Sequence, residues 1–289
     1  MSRITQKSAV APLSPWVNIS SGVPNQAFSA IPGAGPQPAS ATGFYEPSIS
    51  TCVGQKFDTS DGRELVLVQN GAVALTAGKL IQTVAETTAF EKLAMTVPTA
   101  QPATAGTFAV LVTNGATVLN ANQFQGGFLV TASGTGLGQL LKIQSHQPAA
   151  ASATFIVTLE DPIQTTLDVT TTVSLVANPY LGVIINPTTP TGTPVGVTLY
   201  NIAASTAATY DGTSGKLTVN GVAQYGLVTC HGLVSVLMDS DASGVGVGVG
   251  PSDLTAGAVG TEVAGTQSHV GITMQTSTSA QYVPVYLTL

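Results

Sequence analysis

Most of the chain consists of short segments in which apolar and polar residues alternate, and each segment ends at Gly, Asn-Gly or Pro. A period of two residues places the apolar side chains on one face of a β-strand, and the intervening residues favour turns. From about residue 50 onward the pattern therefore predicts a mainly β protein built from small β-barrel or β-sandwich units. The predicted strands are 65–69, 110–113, 127–131, 139–145, 154–159, 171–176, 183–186, 216–219, 227–230, 233–238, 270–274 and 282–289.

Two of these strands belong to a longer repeated pattern. Residues 67–77 and 111–121 both have the sequence Leu-Val-x-Asn-Gly-Ala-x-x-Leu-x-Ala, 44 residues apart. Because Asn-Gly adopts the positive φ angles of a type I′ turn, each copy predicts a β-hairpin. The repetition arises either from the shared chemistry of hairpin turns or from a duplicated β-unit, since the offset does not recur along the rest of the chain.

The first 50 residues differ in composition from the rest. Residues 1–45 contain two basic and no acidic side chains, with six Pro and four Gly, whereas residues 46–289 carry a net charge of −8. This composition favours an extended arm over a packed domain. Large apolar residues along the arm are candidate partner contacts, because such side chains dominate interface energies. They are Leu13, Trp16, Val17, Phe28, Ile31, Phe44 and Tyr45. The alternative is a disordered tail in which these residues have no role.

A second change in composition divides the β-rich part. Residues 186–194 contain three Pro and four Thr, which is typical of a stiff linker or a long loop. The sequence therefore predicts an arm (1–50), a β-rich domain (51–186) and a β-rich C-terminal domain (187–289).

The composition also limits the possible partners and locations. Only 8% of the residues are charged, against about 25% in an ordinary soluble domain. No apolar stretch approaches the roughly 20 residues of a membrane-spanning helix, and no apolar run of a secretory signal follows Arg3 and Lys7. With Cys52 and Cys230 alone there is no disulfide framework, so we expect assembly in a reducing cytoplasm. The net charge of −6 argues against a nucleic-acid partner.

Residues that could carry catalysis are few and poorly spaced. His146, His231 and His269 form no metal-binding motif with Cys or Glu. Cys230 and His231 are neighbours, so on a strand they would face opposite sides of the sheet. Residues 134–138, Gly-Thr-Gly-Leu-Gly, lack the helix start of a phosphate loop and predict a turn between strands. We therefore expect no catalytic residue and no cofactor.

A possible cation site begins at Asp239. Asp239-Ser240-Asp241 and Gly244 match the first half of a calcium loop, but Gly250 stands where the closing Glu should be. A weak surface site near Asp239 and Asp241 stays open beside the ordinary interpretation as an Asp/Ser turn.

The C-terminal third contains a more specific pattern than the rest of the chain. An apolar strand is followed by a Gly-bounded turn, a Val-Gly-x strand and an apolar terminal strand. The pattern consists of residues 225–237, 249–253, 255–259, 270–272 and 282–287. This pattern resembles the head decoration proteins of tailed bacteriophages, and residues 71–80 are similar to an early hairpin of that family. The resemblance covers roughly residues 55–140 and 195–289. It does not include the arm or the apparent insertion around Gln147.

The resemblance implies a non-enzymatic cement protein. Such a protein is made in the host cytoplasm, lies on the outside of an icosahedral capsid and contacts the major capsid protein. Members of the family usually act as homotrimers, and they stabilise contacts between capsid subunits.

Other classes of function remain open. A tail-fibre or surface carbohydrate-binding β module would also be rich in Thr and Gly, although aromatic residues make up only 6% of this chain. A β-fold hydrolase would need clustered carboxylates, and the dense groups are Glu160-Asp161 and Asp58, Asp61 and Glu64. A cell-surface layer protein would need an export route.

Overall fold

The computed structural model describes residues 53–86, 90, 95–98, 103–206, 209–210, 217–219, 222–239, 244–263, 267–278 and 280–289. The regular elements of these residues are β-strands, which confirms the mainly β prediction. The arm and its seven apolar residues lie outside the described residues. The strands are β1 (Lys56–Asp58), β2 (Glu64–Asn70), β3 (Leu80–Gln82), β4 (Met95–Thr96), β5 (Ala109–Thr113), β6 (Phe128–Ser133), β7 (Leu140–His146), β8 (Thr154–Leu159), β9 (Thr172–Val176), β10 (Leu181–Ile185), β11 (Pro194–Thr198), β12 (Thr209–Tyr210), β13 (Leu217–Val219), β14 (Tyr225–Leu237), β15 (Gly248–Pro251), β16 (Val259–Thr261), β17 (Gly271–Thr273) and β18 (Tyr282–Thr288).

The described chain forms two compact units. The inserted unit contains residues 85–179, and the split unit contains the described residues before 85 and after 179. The division therefore differs from the boundary expected near residue 187. Residues 186–194 connect β10 and β11, which both pair with β3 in one sheet, so this segment is a loop within the split unit.

In the split unit, the sheet order is β1-β2-β10-β3-β11-β14-β18-β17-β15-β16. A further pairing between β2 and β14 closes β2, β10, β3, β11 and β14 into a five-stranded ring. The ring encloses the buried side chains Val66, Val68, Leu75, Ile81, Val183, Val195, Ile202, Val228 and Cys230. Alternation along each strand puts these residues inside a barrel.

The remaining strands of the split unit extend the sheet beyond the ring. β14 is 13 residues long, and its C-terminal half pairs with β18 after its N-terminal half has paired with β2 and β11. A second apolar core lies on one side of this extension, formed by Leu80, Val197, Val234, Val236, Met238, Val249, Val259, Val270, Val283, Val285 and Leu287. The extension therefore has one face covered by the protein itself.

The inserted unit is a closed six-stranded barrel with the order β4-β5-β8-β7-β6-β9. Its core contains Phe90, Phe124 and Phe155, together with many aliphatic side chains. Rings of Phe90 and Phe124 meet edge to face, with 5.3 Å between centroids, which is a favourable aromatic geometry. Closure leaves the barrel without a free strand edge.

The two Asn-Gly pairs do not form the predicted hairpins. Neither pair has the positive φ angles of a type I′ turn, and β2 pairs with β1, β10 and β14 rather than with β3. Instead Asn70 is fully buried at the end of β2. Its Nδ2 donates towards the carbonyl oxygens of Ala203 at 2.7 Å, Val73 at 2.9 Å and Ile202 at 3.4 Å.

Asn114 makes the same contacts at the end of β5. Its Nδ2 lies 2.7 Å from Thr117 O, 2.9 Å from Ala150 O and 3.4 Å from Ala149 O. The side chain takes the place of a turn hydrogen bond and ties the following loop to a second loop that is distant in sequence. At both strand ends the side-chain amide explains the presence of Asn, because the backbone there does not adopt a left-handed conformation.

The loop contacts after each Asn also correspond. Leu75 and Ile202 exchange backbone hydrogen bonds of 2.8 and 2.9 Å, and Leu119 and Ala149 exchange bonds of 2.8 and 3.0 Å. The strand neighbours match too. The strands β2, β3, β11, β14 and β10 of the split unit correspond, in that order, to β5, β6, β7, β8 and β9 of the inserted unit. Each pair of neighbouring strands in one of these sets has its counterpart in the other, except that β4 lies between β9 and β5. The two copies therefore share their loop contacts and strand neighbours but not their chain order, since β10 precedes β11 and β14 whereas β9 follows β7 and β8.

Candidate functional site

Cys230 and His231 lie on opposite faces of β14, as the sequence predicts. Cys230 is buried, its Sγ donates to Glu64 O at 3.5 Å, and burial raises the pKa of its thiol. The His231 Nε2 lies 3.3 Å from the Tyr286 hydroxyl on the other side of the sheet. The thiol and the imidazole therefore cannot act as a nucleophile and its base.

His146 is a structural residue of the inserted unit. Its Nε2 accepts the Phe124 N–H at 2.9 Å, and its Nδ1 donates to Gln147 O at 3.0 Å, so both ring nitrogens are used by backbone groups. Burial lowers the pKa of this imidazole, which is consistent with a neutral ring held in one tautomer. The third histidine, His269, places Nδ1 2.6 Å from Glu262 Oε2 at the surface of the split unit.

The possible cation site is only partly described. Asp239 is buried and packs against Gly260, and its backbone N–H donates to Val259 O at 3.0 Å. Asp241 lies outside the described residues. Within the described part of the chain, no cluster of three or more His, Cys, Asp or Glu side chains could hold a metal ion.

The Gly-rich segment forms a turn, as predicted. Gly134, Gly136 and Gly138 have φ angles of 79°, 76° and 84° and connect β6 to β7. The carboxylate groups are likewise part of local structure. Asp61 pairs with Arg63 Nη2 at 2.7 Å, and Glu160 pairs with Lys142 at 2.9 Å.

An exposed apolar face lies on β14, β18 and β17. The register sets Leu233 beside Tyr286 and Tyr286 beside Ile272, so these side chains share one face. Their exposed fractions are 48%, 39% and 39%, while their strand neighbours Val234 and Val285 are buried on the other side. Met274 and Tyr282 add to the exposed set. We call Leu233, Ile272, Met274, Tyr282 and Tyr286 the apolar face.

A groove of about 810 Å³ lies at one end of this face, within the split unit. Leu233, Tyr282 and Pro284 supply its apolar wall. The Tyr282 ring lies against the backbone of Gly78, where an added Cβ would be 2.5 Å from Tyr282 Cε1. The remaining lining residues come from loops: Asp61, Arg63, Thr76, Ala77, Leu199 and Asn201, with Thr198, Val234 and Ser235 from the strands.

The sequence predicts the strands that carry the apolar face but not the face itself. In β18 both alternating sets are apolar: Tyr282, Pro284 and Tyr286 on one side, Val283, Val285 and Leu287 on the other. The only available signal is that the exposed set contains tyrosines and a proline, which tolerate contact with water better than Val and Leu.

The fold and surface define an all-β protein with an inserted barrel and an exposed apolar face. Comparison of the chain with family models, curated proteins and solved structures finds no significant match. In the described residues no helix has the length and hydrophobicity needed to span a bilayer.

Proposed function

We propose that this chain is a non-enzymatic structural virion protein that binds the outside of an icosahedral tailed-phage capsid and stabilises contacts between major capsid subunits. The observation that carries the proposal is the apolar face. Its residues lie on β14, β17 and β18 or just beyond them, which are the segments that resemble head decoration proteins.

An exposed cluster of large apolar side chains is costly for a protein that remains alone in water. Contiguous patches of this kind mark interaction sites, and each square ångström removed from water contributes about 25 cal/mol. A low share of charged residues, 8%, leaves little to oppose adhesion of this face to another protein. A capsid lattice would cover the face permanently.

The proposal includes the expected partners and location. The chain is made in the host cytoplasm and ends in the virion, with the major capsid protein and two further copies of itself as partners. Residues 1–45 extend the contact, with Leu13, Trp16, Val17, Phe28, Ile31, Phe44 and Tyr45 as the arm's apolar contacts. Ordering an arm costs entropy, which a wide contact surface offsets.

Co-sedimentation with empty capsid shells of the virus that encodes the chain tests the proposal. We expect the purified protein to saturate the shells at a fixed ratio to the major capsid protein. The double substitution Ile272→Asp and Met274→Asp should weaken binding at least tenfold, because two charges would be buried in the contact. The matched control is Val118→Asp with Leu137→Asp, at two exposed apolar residues of the inserted unit. Wild-type protein that fails to saturate the shells would overturn the proposal.

One observation favours a second function, a carbohydrate-binding β module of a tail fibre or surface protein. Tyr282 and Tyr286 lie on the same face of β18, are 54% and 39% exposed, and offer rings on which a sugar could stack. Titration with soluble oligosaccharides, read by calorimetry, distinguishes this function. Saturable binding that Tyr286→Ala abolishes, without stoichiometric binding to shells, would favour the carbohydrate module.

A further inference from the structure

We propose that the groove is occupied by residues 12–17 of the same chain, Pro-Leu-Ser-Pro-Trp-Val. This inference goes beyond the proposed function, because the contact forms within one free molecule in solution and needs no shell; on a shell, the same segment leaves the groove and contacts the capsid. It concerns the groove at Leu233 and Tyr282 and not the rest of the apolar face.

The chemistry of the groove suits a short proline-containing segment. Leu233, Pro284 and the Tyr282 ring form an apolar wall, and extended Pro-x-x-Pro segments dock in apolar grooves lined by aromatic rings. Six residues in a polyproline conformation span about 19 Å and keep their backbone polar groups free for water. Such a segment loses little conformational entropy when it binds, because proline already restricts its backbone.

The polar groups at the groove are largely satisfied before anything binds. Asn201 Oδ1 accepts the Ala77 N–H at 2.9 Å, and Arg63 Nε donates to Asp61 Oδ2 at 2.8 Å. The groove therefore offers apolar contact area and few unpaired charges. An occupant whose side chains are mainly apolar fits it better than a charged ligand.

Residues 12–17 are the best match in the 52 residues that precede the described chain. They hold the only Trp of the protein beside two prolines, with Leu13 and Val17 as further apolar side chains. Arg3 and Lys7 lie just before them, and Asp58, Asp61 and Glu64 lie on and beside the turn that borders the groove. Because Asp61 pairs with Arg63 and Glu64 pairs with Lys56, the turn keeps a net charge of −1, which adds only a small attraction for the two cations before the segment.

The length of the intervening chain allows the contact. The described chain begins at Val53, next to Gly54, whose N–H donates to Leu67 O at 2.8 Å. Thirty-five residues separate Val17 from Val53, and a flexible segment of that length has a typical end-to-end distance of about 30 Å. The turn at Asp61 that borders the groove lies within this reach.

The connection also favours the same molecule over a second copy. A flexible tether of this length gives an effective concentration on the order of millimolar, which exceeds the micromolar concentration of other copies in solution. The intramolecular contact therefore forms first unless geometry prevents it.

Trp16 fluorescence in the full-length chain provides the test, since no other Trp contributes. We expect a blue-shifted emission and an acrylamide quenching constant at least threefold below that of N-acetyltryptophanamide. Tyr282→Ala and Leu233→Ser should each shift the emission to the red and raise the quenching constant towards that of the free compound. Both residues are about half exposed, so circular dichroism should show that the variants remain folded. Val118→Ala in the inserted unit is the matched control and should leave the emission unchanged.

Three results would overturn the proposal. Trp16 could be quenched as freely as N-acetyltryptophanamide in the wild type, or the two groove variants could leave its emission unchanged. Protection that disappears when the protein is diluted from 10 µM to 0.1 µM would assign the contact to a second copy. Trp16 fluorescence is measured without shells, so this test is separate from shell binding. The Ile272→Asp and Met274→Asp variant can therefore fail in co-sedimentation with shells and still show the wild-type Trp16 emission.

Discussion

At the scale of single residues, the buried amides of Asn70 and Asn114 have the clearest structural role. Each amide holds two loops together by donating to carbonyl oxygens in both of them. An Asn followed by Gly at a strand end is usually interpreted as a turn signal. Here the residue type is required by hydrogen bonding to distant loops, a reason that local sequence does not reveal.

We expect Asn114→Ala to lower the free energy of unfolding by about 2–4 kcal/mol, because the hydrogen bonds from its amide to Thr117 O, Ala149 O and Ala150 O are lost. Asn70→Ala should have an effect of similar size in the split unit, since its contacts are the same. Urea unfolding followed by circular dichroism measures both changes. Gln123→Ala, at an exposed side chain that bonds to Asn120 N–H, is the control and should cost less than about 1 kcal/mol. Equal costs for all three variants would contradict the structural role of the two Asn residues.

His146 predicts a specific pH dependence of stability. The folded imidazole has a lowered pKa, so the unfolded chain binds a proton at a higher pH than the folded chain does. Stability from this residue is therefore complete above about pH 6.5 and declines as the pH falls below that value.

Thermal unfolding at pH 7.5 and 5.5 should show a larger decrease for the wild type than for His146→Gln, which removes the titrating group. Asn114→Ala is a useful control, because it destabilises the same unit without changing a titratable group and should keep the wild-type pH dependence. Identical pH dependence in the wild type and His146→Gln would contradict the assignment.

At the scale of elements, β14 connects the ring of the split unit to its extended sheet. The sequence predicts two strands, 227–230 and 233–238, separated at Gly232. The structure joins them into one strand with an irregular register between Thr229 and His231. Gly232 adopts a φ of 94°, and the strand leaves β2 there and continues along β18. Such irregularities redirect strands from one sheet to another.

Gly232→Ala should destabilise the protein by about 2–3 kcal/mol, because a positive φ strains any residue with a Cβ. The added Cβ would also lie 3.0 Å from Arg63 Cα and from Gly62 O, both backbone atoms that cannot move aside easily. Gly244→Ala is the control, since the nearest atom, Val247 Cγ2, would be 3.6 Å away. Thermal unfolding of the two variants measures the difference, and equal midpoints would contradict the strain at Gly232.

At the scale of the whole molecule, the protein combines two barrels of related strand arrangement, and the sheet that extends from one of them carries the apolar face. The inserted barrel interrupts the split unit between β3 and β10, where both ends of the insertion enter the same sheet. Insertion at such a point leaves the pairing of β3 with β10 intact. The apolar face belongs to the split unit, and the proposed shell contact does not require the inserted barrel.

Deletion of residues 1–45 should leave a folded body that no longer binds capsid shells. The described strands form their sheets without these residues, and the arm supplies part of the proposed contact area. Circular dichroism checks the fold, and co-sedimentation checks the binding. Deletion of residues 1–8 alone, which removes both arm cations but keeps the seven apolar residues, separates charge from apolar contact. Undiminished binding by the protein without residues 1–45 would exclude a role for the arm.

The sequence by itself determined the fold class and most strand positions, because period-two alternation is a local property of the chain. It predicts β8 at Thr154–Leu159 to the residue, and it predicts the Gly turn after β6. Only the tertiary structure decided which alternating face of β18 is covered, that Asn70 and Asn114 bind distant loops, and that residues 85–179 form a separate barrel. These features depend on pairing between strands far apart in the chain, which short segments of one sequence do not encode.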